Sequence, residues 1–275
     1  MAVARWCSMQ TELYFGLTAI FALIPAFALS WRAHFRHDYV FYAVTSMACA
    51  GPMSAVIARS HDAWQADFST SIWATIAVTM VLFLIFSAFV RSTWRLAPLI
   101  NSYMLILALF GFAWQHQDHP LNAFSDEAGL LVLHIGFAVT TYGLVTLAAV
   151  AGLSAFLQER ALKKKRKPLL DGVLPSITDC DRLVSRFLVF SEIVLGLGLL
   201  TGVILNISVG DNPLTIDHKT IFSLATFVTI GALLYAQSKH GIRGQRASRF
   251  VLLAYLLLTL GYPGVKFVTD VIFSS

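Results

Sequence analysis

Residues 129–157 read GLLVLHIGFAVTTYGLVTLAAVAGLSAFL, and residues 158–167 continue as QERALKKKRK. The first stretch contains no Asp, Glu, Lys or Arg. It exceeds the roughly 20 apolar residues that carry a helix across about 30 Å of hydrocarbon. The second stretch is dense positive charge, so the pair reads as a membrane helix with one end held at a lipid–water boundary. Its surplus length predicts a helix that tilts or projects into the cytoplasm.

Comparable apolar runs recur along the chain, and spans are expected near 12–31, 39–58, 72–90, 97–114, 129–157, 187–207, 219–237 and 250–272. The composition agrees. Of 275 residues 57% are hydrophobic and 13% charged, with a mean hydropathy of +0.71. A soluble domain of this length has no core large enough to hide that much apolar surface. The expected fold is all-α: a polytopic membrane helix bundle of about eight transmembrane helices, forming a single integral membrane domain over 1–275 with the lipid bilayer as its first partner. The formal charge of +5 bears on topology and does not imply a nucleic-acid partner.

One set of alternate loops carries every Lys and Arg except Arg5, Arg59, Lys219 and Lys266. The positive-inside rule places that set in the cytoplasm and both termini outside. Ala26-Phe27-Ala28 resembles a signal-peptidase site, but cleavage there would require Arg32 and Arg36 to be translocated, so the first apolar run is read as a retained span. The long polar segment 158–186 reads as a stop-transfer signal on anionic lipid, each charge contributing ~1 kcal/mol; a protein-docking site is the alternative. Within it, Ser176-x-x-Asp179 suits a capping-box-like helix start. Cys7, Cys49 and Cys180 are far apart and form no Cys-x-x-Cys, so dithiol chemistry is not expected.

Small residues mark expected helix contacts: Gly129, Gly136 and Gly143 in the fifth span, and Gly198-x-x-x-Gly202 in the sixth. Histidine is the informative residue for chemistry, since neutral imidazole ligates metals and haem iron. His34, His37 and His240 lie among cytoplasmic basic residues and are expected to be solvated. His61, His116, His119, His134 and His218 fall on the other side. His134 lies within a span among Leu133, Ile135 and Phe137, and an ionisable group there is a functional candidate; an imidazole hydrogen-bonded to a neighbouring helix is the plain alternative. His218, in Asp217-His218-Lys219, is a ligand candidate or a wet loop residue. His116-x-x-His119 lacks a third fixed ligand for a divalent metal. Glu192 suits snorkelling or pairing with a nearby base, with a proton path as the sharper alternative, and Lys266 with Asp270 suits a local ion pair. The chain has no Walker loop, His-Glu-x-x-His or Gly-x-Ser-x-Gly, so nothing supports an ATPase or a hydrolase.

An ordered series of motifs then resembles the integral membrane family of cytochrome c assembly proteins, closest to its short YpjD- and HemX-type branch. The series runs Leu133-His134-Ile135-Gly136, Thr141-Tyr142-Gly143, Leu157-Gln158-Glu159-Arg160, Leu174-Pro175-Ser176, Gly198 to Gly202, Asp217-His218-Lys219-Thr220, Gly241-Ile242-Arg243-Gly244 and Gly261-Tyr262-Pro263-Gly264. It covers roughly residues 128–268; the first four spans match only in layout. The resemblance implies a haem-handling protein of the bacterial inner membrane. In the haem-exporting members an outward tryptophan-rich loop cradles haem, and flanking histidines ligate its iron. His134 matches the first of these; the second is expected after the Gly261-Tyr262-Pro263-Gly264 motif, and His218 is a separate candidate for a second axial ligand. The chain departs from that pattern in having no tryptophan in 208–218, no histidine in 39–58 and none after the Gly261-Tyr262-Pro263-Gly264 motif. The resemblance thus implies haem as cofactor with His134 as an iron ligand, to which His218 is added as the candidate second ligand, and no catalytic residue of the chain's own. The rival reading is a non-catalytic membrane-protein partner that stabilises or regulates another membrane protein. A small-molecule permease is disfavoured by the lack of an inverted repeat.

Overall fold

The computed structural model describes residues 2–32, 37–59, 68–114, 128–163, 174–208, 218–241 and 244–261. Every regular element among them is helical: α1 (Ala2–Ser30), α2 (Tyr39–Arg59), α3 (Phe68–Phe89), α4 (Ala97–Ala113), α5 (Ala128–Lys163), α6 (Ile177–Ser208), α7 (His218–His240) and α8 (Gln245–Thr259), with a 3₁₀ turn at Thr93–Leu96 leading into α4. Helices α1 to α7 are each long and apolar enough to cross a membrane. The bilayer core offers backbone groups no water, so only a structure that closes its own hydrogen bonds crosses it as a single segment. The protein is therefore an all-α, multi-pass membrane protein. The expected eighth span, 250–272, is entered by α8, and its later part lies outside the described residues.

Two of the helices extend past their expected spans. α5 continues to Lys163, so the surplus apolar length is spent on helix. α6 begins at Ile177, well before the apolar run at 187. Its polar first turns are held by a cap: the Ser176 hydroxyl accepts the Asp179 amide at 3.2 Å and donates to Asp179 Oδ2 at 2.7 Å. They are also held by burial of Cys180, Leu183, Val184 and Phe187.

The chain divides into two compact units, the first built from α1–α4 and the second from α5–α8. In the first, α1 and α3 each pack on both α2 and α4, around Leu23, Phe41, Trp73, Ile76, Met80 and Met104. Gly51 lets α2 approach α1 closely; a Cβ there would lie 2.7 Å from the Cβ of Ala22. Asn101 Nδ2 donates to the Ala26 carbonyl at 3.0 Å, a polar clamp between α4 and α1. His37 is not simply solvated: Tyr42 Oη lies 2.9 Å from its Nε2 and its ring stacks on Trp94 with centroids 5.9 Å apart, because the aromatic residues around it offer a better surface than water.

In the second unit α5 packs on α6 and α8, and α7 packs on the same two helices. Tyr142 Oη sits 3.1 Å from Tyr255 Oη and 3.2 Å from Thr259 Oγ1, and Ser248 Oγ donates to the Gly152 carbonyl at 3.0 Å, tying α5 to α8. Gln158 donates to the Pro175 carbonyl, and Cys180 Sγ lies 3.4 Å from Ser154 Oγ, tying α5 to the start of α6. Gly241 and Gly244, at φ 62° and 66°, flank the α7–α8 turn in the left-handed region that glycine alone enters freely. Cys49 and Cys180 are both buried free thiols.

Candidate functional site around His134

His134 projects from the first third of α5 onto α6. A histidine among Leu, Ile and Phe cannot leave its ring polar atoms unpaired in an apolar setting without cost, and here the ring finds a partner across the helix interface. Nδ1 lies 3.0 Å from the Gly198 carbonyl oxygen and 3.3 Å from Thr201 Oγ1. Thr201 Oγ1 itself donates to the same Gly198 carbonyl at 2.9 Å. A carbonyl only accepts, so Nδ1 carries the hydrogen, and in the neutral ring Nε2 carries the free lone pair.

The approach depends on α6 glycines. A Cβ placed on Gly202 would lie 3.0 Å from Cε1 and 3.5 Å from Nδ1 of His134, and one on Gly198 would touch the Cβ of Phe137 at 3.5 Å. His134 and Phe137, one turn apart on α5, therefore seat on Gly202 and Gly198, one turn apart on α6. Gly129 and Gly136 of α5 behave differently. Gly136 is about 200° round the helix from His134, and among the described residues a Cβ on Gly129 or Gly136 would meet nothing within 4 Å. The smooth face against the histidine belongs to α6.

This geometry fits a metal-ligating imidazole. Ligating histidines usually donate the other ring N–H to a carbonyl or carboxylate, which fixes the tautomer and the ring direction. Among the described residues no protein group is bonded to Nε2, and no cluster of three or more His, Cys, Asp or Glu could hold a metal ion. His218 is the first residue of α7, but its side chain lies outside the described residues, as do His34, His61, His116, His119, Lys266 and Asp270 and the side chain of His240. Glu192, expected to snorkel or pair with a base, instead faces α7: a Cβ on Gly231 would lie 3.0 Å from its Oε1, and its Oε2 is enclosed without a hydrogen-bond partner among the described residues. Sequence reasoning noted the Gly198–Gly202 pair but missed its link to His134. Thr201, a hydroxyl between those glycines in an otherwise apolar stretch, was the available signal.

The family model described as cytochrome C assembly protein matches residues 42–273, which takes in α2–α4 as well as the stretch that carries the ordered motifs. The chain is 43% identical over 270 residues to an "Uncharacterized 28.8 kDa protein in nifR3-like 5'region" of Azospirillum brasilense, covering 96% of this chain and 99% of that one. It is 27% identical over 255 residues to "Inner membrane protein YpjD" of Escherichia coli strain K12, covering 91% and 94% of the two chains. "Protein HemX" of Brevibacillus brevis is 25% identical over 171 residues, 62% of this chain and 61% of that one. No solved structure matches the chain. The family match over most of the sequence, on a multi-pass helical fold, shows that this chain belongs to the cytochrome c assembly protein family.

Proposed function

We propose that this protein handles haem in the bacterial inner membrane during the assembly of cytochromes c or other haem proteins, with His134 as an axial iron ligand through Nε2 and His218 as the candidate second ligand. One observation carries the reading. The hydrogen bond from Nδ1 to the Gly198 carbonyl commits one ring nitrogen to α6 and leaves the other as a lone pair. Family membership supplies the cofactor class, and the relative named as an inner membrane protein supplies the compartment. Haem, when bound, brings the iron chemistry; the protein contributes binding and orientation. Thr201 and the Gly198 carbonyl hold the imidazole plane, and Gly202 gives the ring room against α6. With both termini on the non-cytoplasmic side, as the charge pattern favours, His134 lies near the outer face. Detergent-purified protein from haem-replete cells is expected to show a Soret band that His134→Ala abolishes and His240→Ala leaves alone, while His218→Ala shifts the ligand-state spectrum. Well-folded protein that carries no haem and binds none on addition would sink the proposal.

A second reading has its own observation. Among the described residues nothing approaches Gly129 or Gly136 within 4 Å of an added Cβ, and such a smooth face suits close approach by a helix of another membrane protein. Stoichiometric co-purification of a colourless partner, lost in Gly136→Leu, would favour that role over haem handling.

A further inference from the structure

The basic ends of α6 and α7 enclose a cavity of about 650 Å³ whose wall includes Arg182, Ser185 and Arg186 of α6 and Gln237 and Ser238 of α7. Arg182 and Arg186 are four apart, so they stand one above the other on the same face of the helix, and both are exposed. Among the described residues no carboxylate forms an ion pair with them, and Asp179 bonds Ser176 instead. Asp181, also in the wall, accepts the Gly244 amide through Oδ1 at 3.2 Å, and Glu159 lies against Gly244, so both are turned to the α7–α8 turn. Ser185 Oγ donates to Gln237 Oε1 at 2.8 Å, which ties α6 to α7 in the cavity wall and leaves the Gln237 amide as a further donor.

Beyond the arginines, the same stripe of α6 turns wholly apolar and stays exposed: Val189 (45%), Ile193 (56%), Leu197 (43%) and Leu200 (62%) follow at steps of three and four. From Val189 to Leu200 this stripe rises about 16 Å, close to the depth of one leaflet, which is about half of a 30 Å hydrocarbon core. Paired guanidinium groups over an apolar track match a phosphate with acyl chains attached. A soluble phosphate ester would use the arginines and leave the track without purpose.

We propose that this cavity is a binding site for an anionic phospholipid, its phosphate held by Arg182 and Arg186 and an acyl chain lying along the Val189–Leu200 stripe. The site is separate from the haem-handling reading and does not depend on it. Basic pockets between membrane helices commonly receive anionic head groups in this way, and arginine's planar fork suits phosphate oxygens better than a lysine does.

The test uses the full-length protein in detergent micelles and follows its thermal unfolding midpoint with added phosphatidylglycerol, phosphatidylcholine or inorganic phosphate. Phosphatidylglycerol should raise the midpoint and phosphatidylcholine should not. The double variant Arg182→Gln/Arg186→Gln should need about 25-fold more phosphatidylglycerol for the same shift, on the basis of about fivefold per arginine. Arg249→Gln, an exposed arginine of α8 outside the cavity wall, should respond like the parent protein. If inorganic phosphate stabilises as well as phosphatidylglycerol, the ligand is a soluble phosphate and the lipid proposal is wrong. An unchanged response in the double variant would reduce the effect to general basic charge and overturn it too. Should the double variant not fold, equal midpoints in the two lipids would still overturn the proposal on the parent protein alone, and native mass spectrometry showing retained phosphatidylglycerol but not phosphatidylcholine would uphold it.

Discussion

An alanine at position 202 would set its Cβ 3.0 Å from Cε1 of His134, so the imidazole would have to yield by a few tenths of an ångström. A valine leaves no such escape. Gly202→Val should overpack the α5–α6 contact at a cost of about 1–3 kcal/mol and pull the ring from the Gly198 carbonyl. Gly136→Ala, by contrast, meets no described residue within 4 Å, and should be neutral or stabilising by up to about 1 kcal/mol through helix propensity alone. Thermal unfolding of the two variants in the same detergent checks the contrast; equal destabilisation would mean that the α6 face is not where His134 docks. His134 itself was legible as a candidate because a titratable ring stands out among apolar neighbours. Its tautomer was not, because that depends on a carbonyl from another helix.

At the scale of the element, α6 shows how a helix in a membrane protein begins outside the apolar run that identifies it. Hydropathy locates the stretch from 187 onward; the first turns are amphipathic, with Arg182 and Arg186 exposed while Cys180, Leu183, Val184 and Phe187 are buried against neighbours. Ser176 and Asp179 supply the start signal. Ser176→Ala should cost about 1 kcal/mol and speed amide hydrogen exchange over Thr178–Cys180 while leaving the later turns of α6 protected. Unchanged exchange there would show that burial of Cys180 and Leu183, not the cap, sets the helix start. The α5 extension to Lys163 has the opposite character: its apolar length was plain in sequence, and only the helix end was left open.

For the whole molecule, the distribution of Lys and Arg makes the sharpest prediction. Reporters fused after Lys167 and Arg246 should read cytoplasmic, and reporters near Asp118 and Ser275 non-cytoplasmic. A cytoplasmic reading at Ser275 would break the even number of crossings and with it the placement of His134 and His218 on one side. The prediction matters to function because it decides on which side of the membrane His134 would meet haem.

The sequence by itself determined that this is a multi-pass helical membrane protein, roughly where its helices run, and which family it resembles. It could do so because a bilayer imposes length and apolarity on each span separately, so each helix is readable without its neighbours. It also singled out His134. What only the tertiary structure decided are relations between helices: that Gly202 and Gly198 meet the histidine face; that Gly198 and Thr201 orient the ring; that Glu192 turns to Gly231; and that Asp181 and Glu159 turn to the Gly244 turn. Each of these depends on the rotation of one helix about its axis relative to another, and in lipid, where every face of a span is apolar, the hydrophobic pattern carries little record of that rotation.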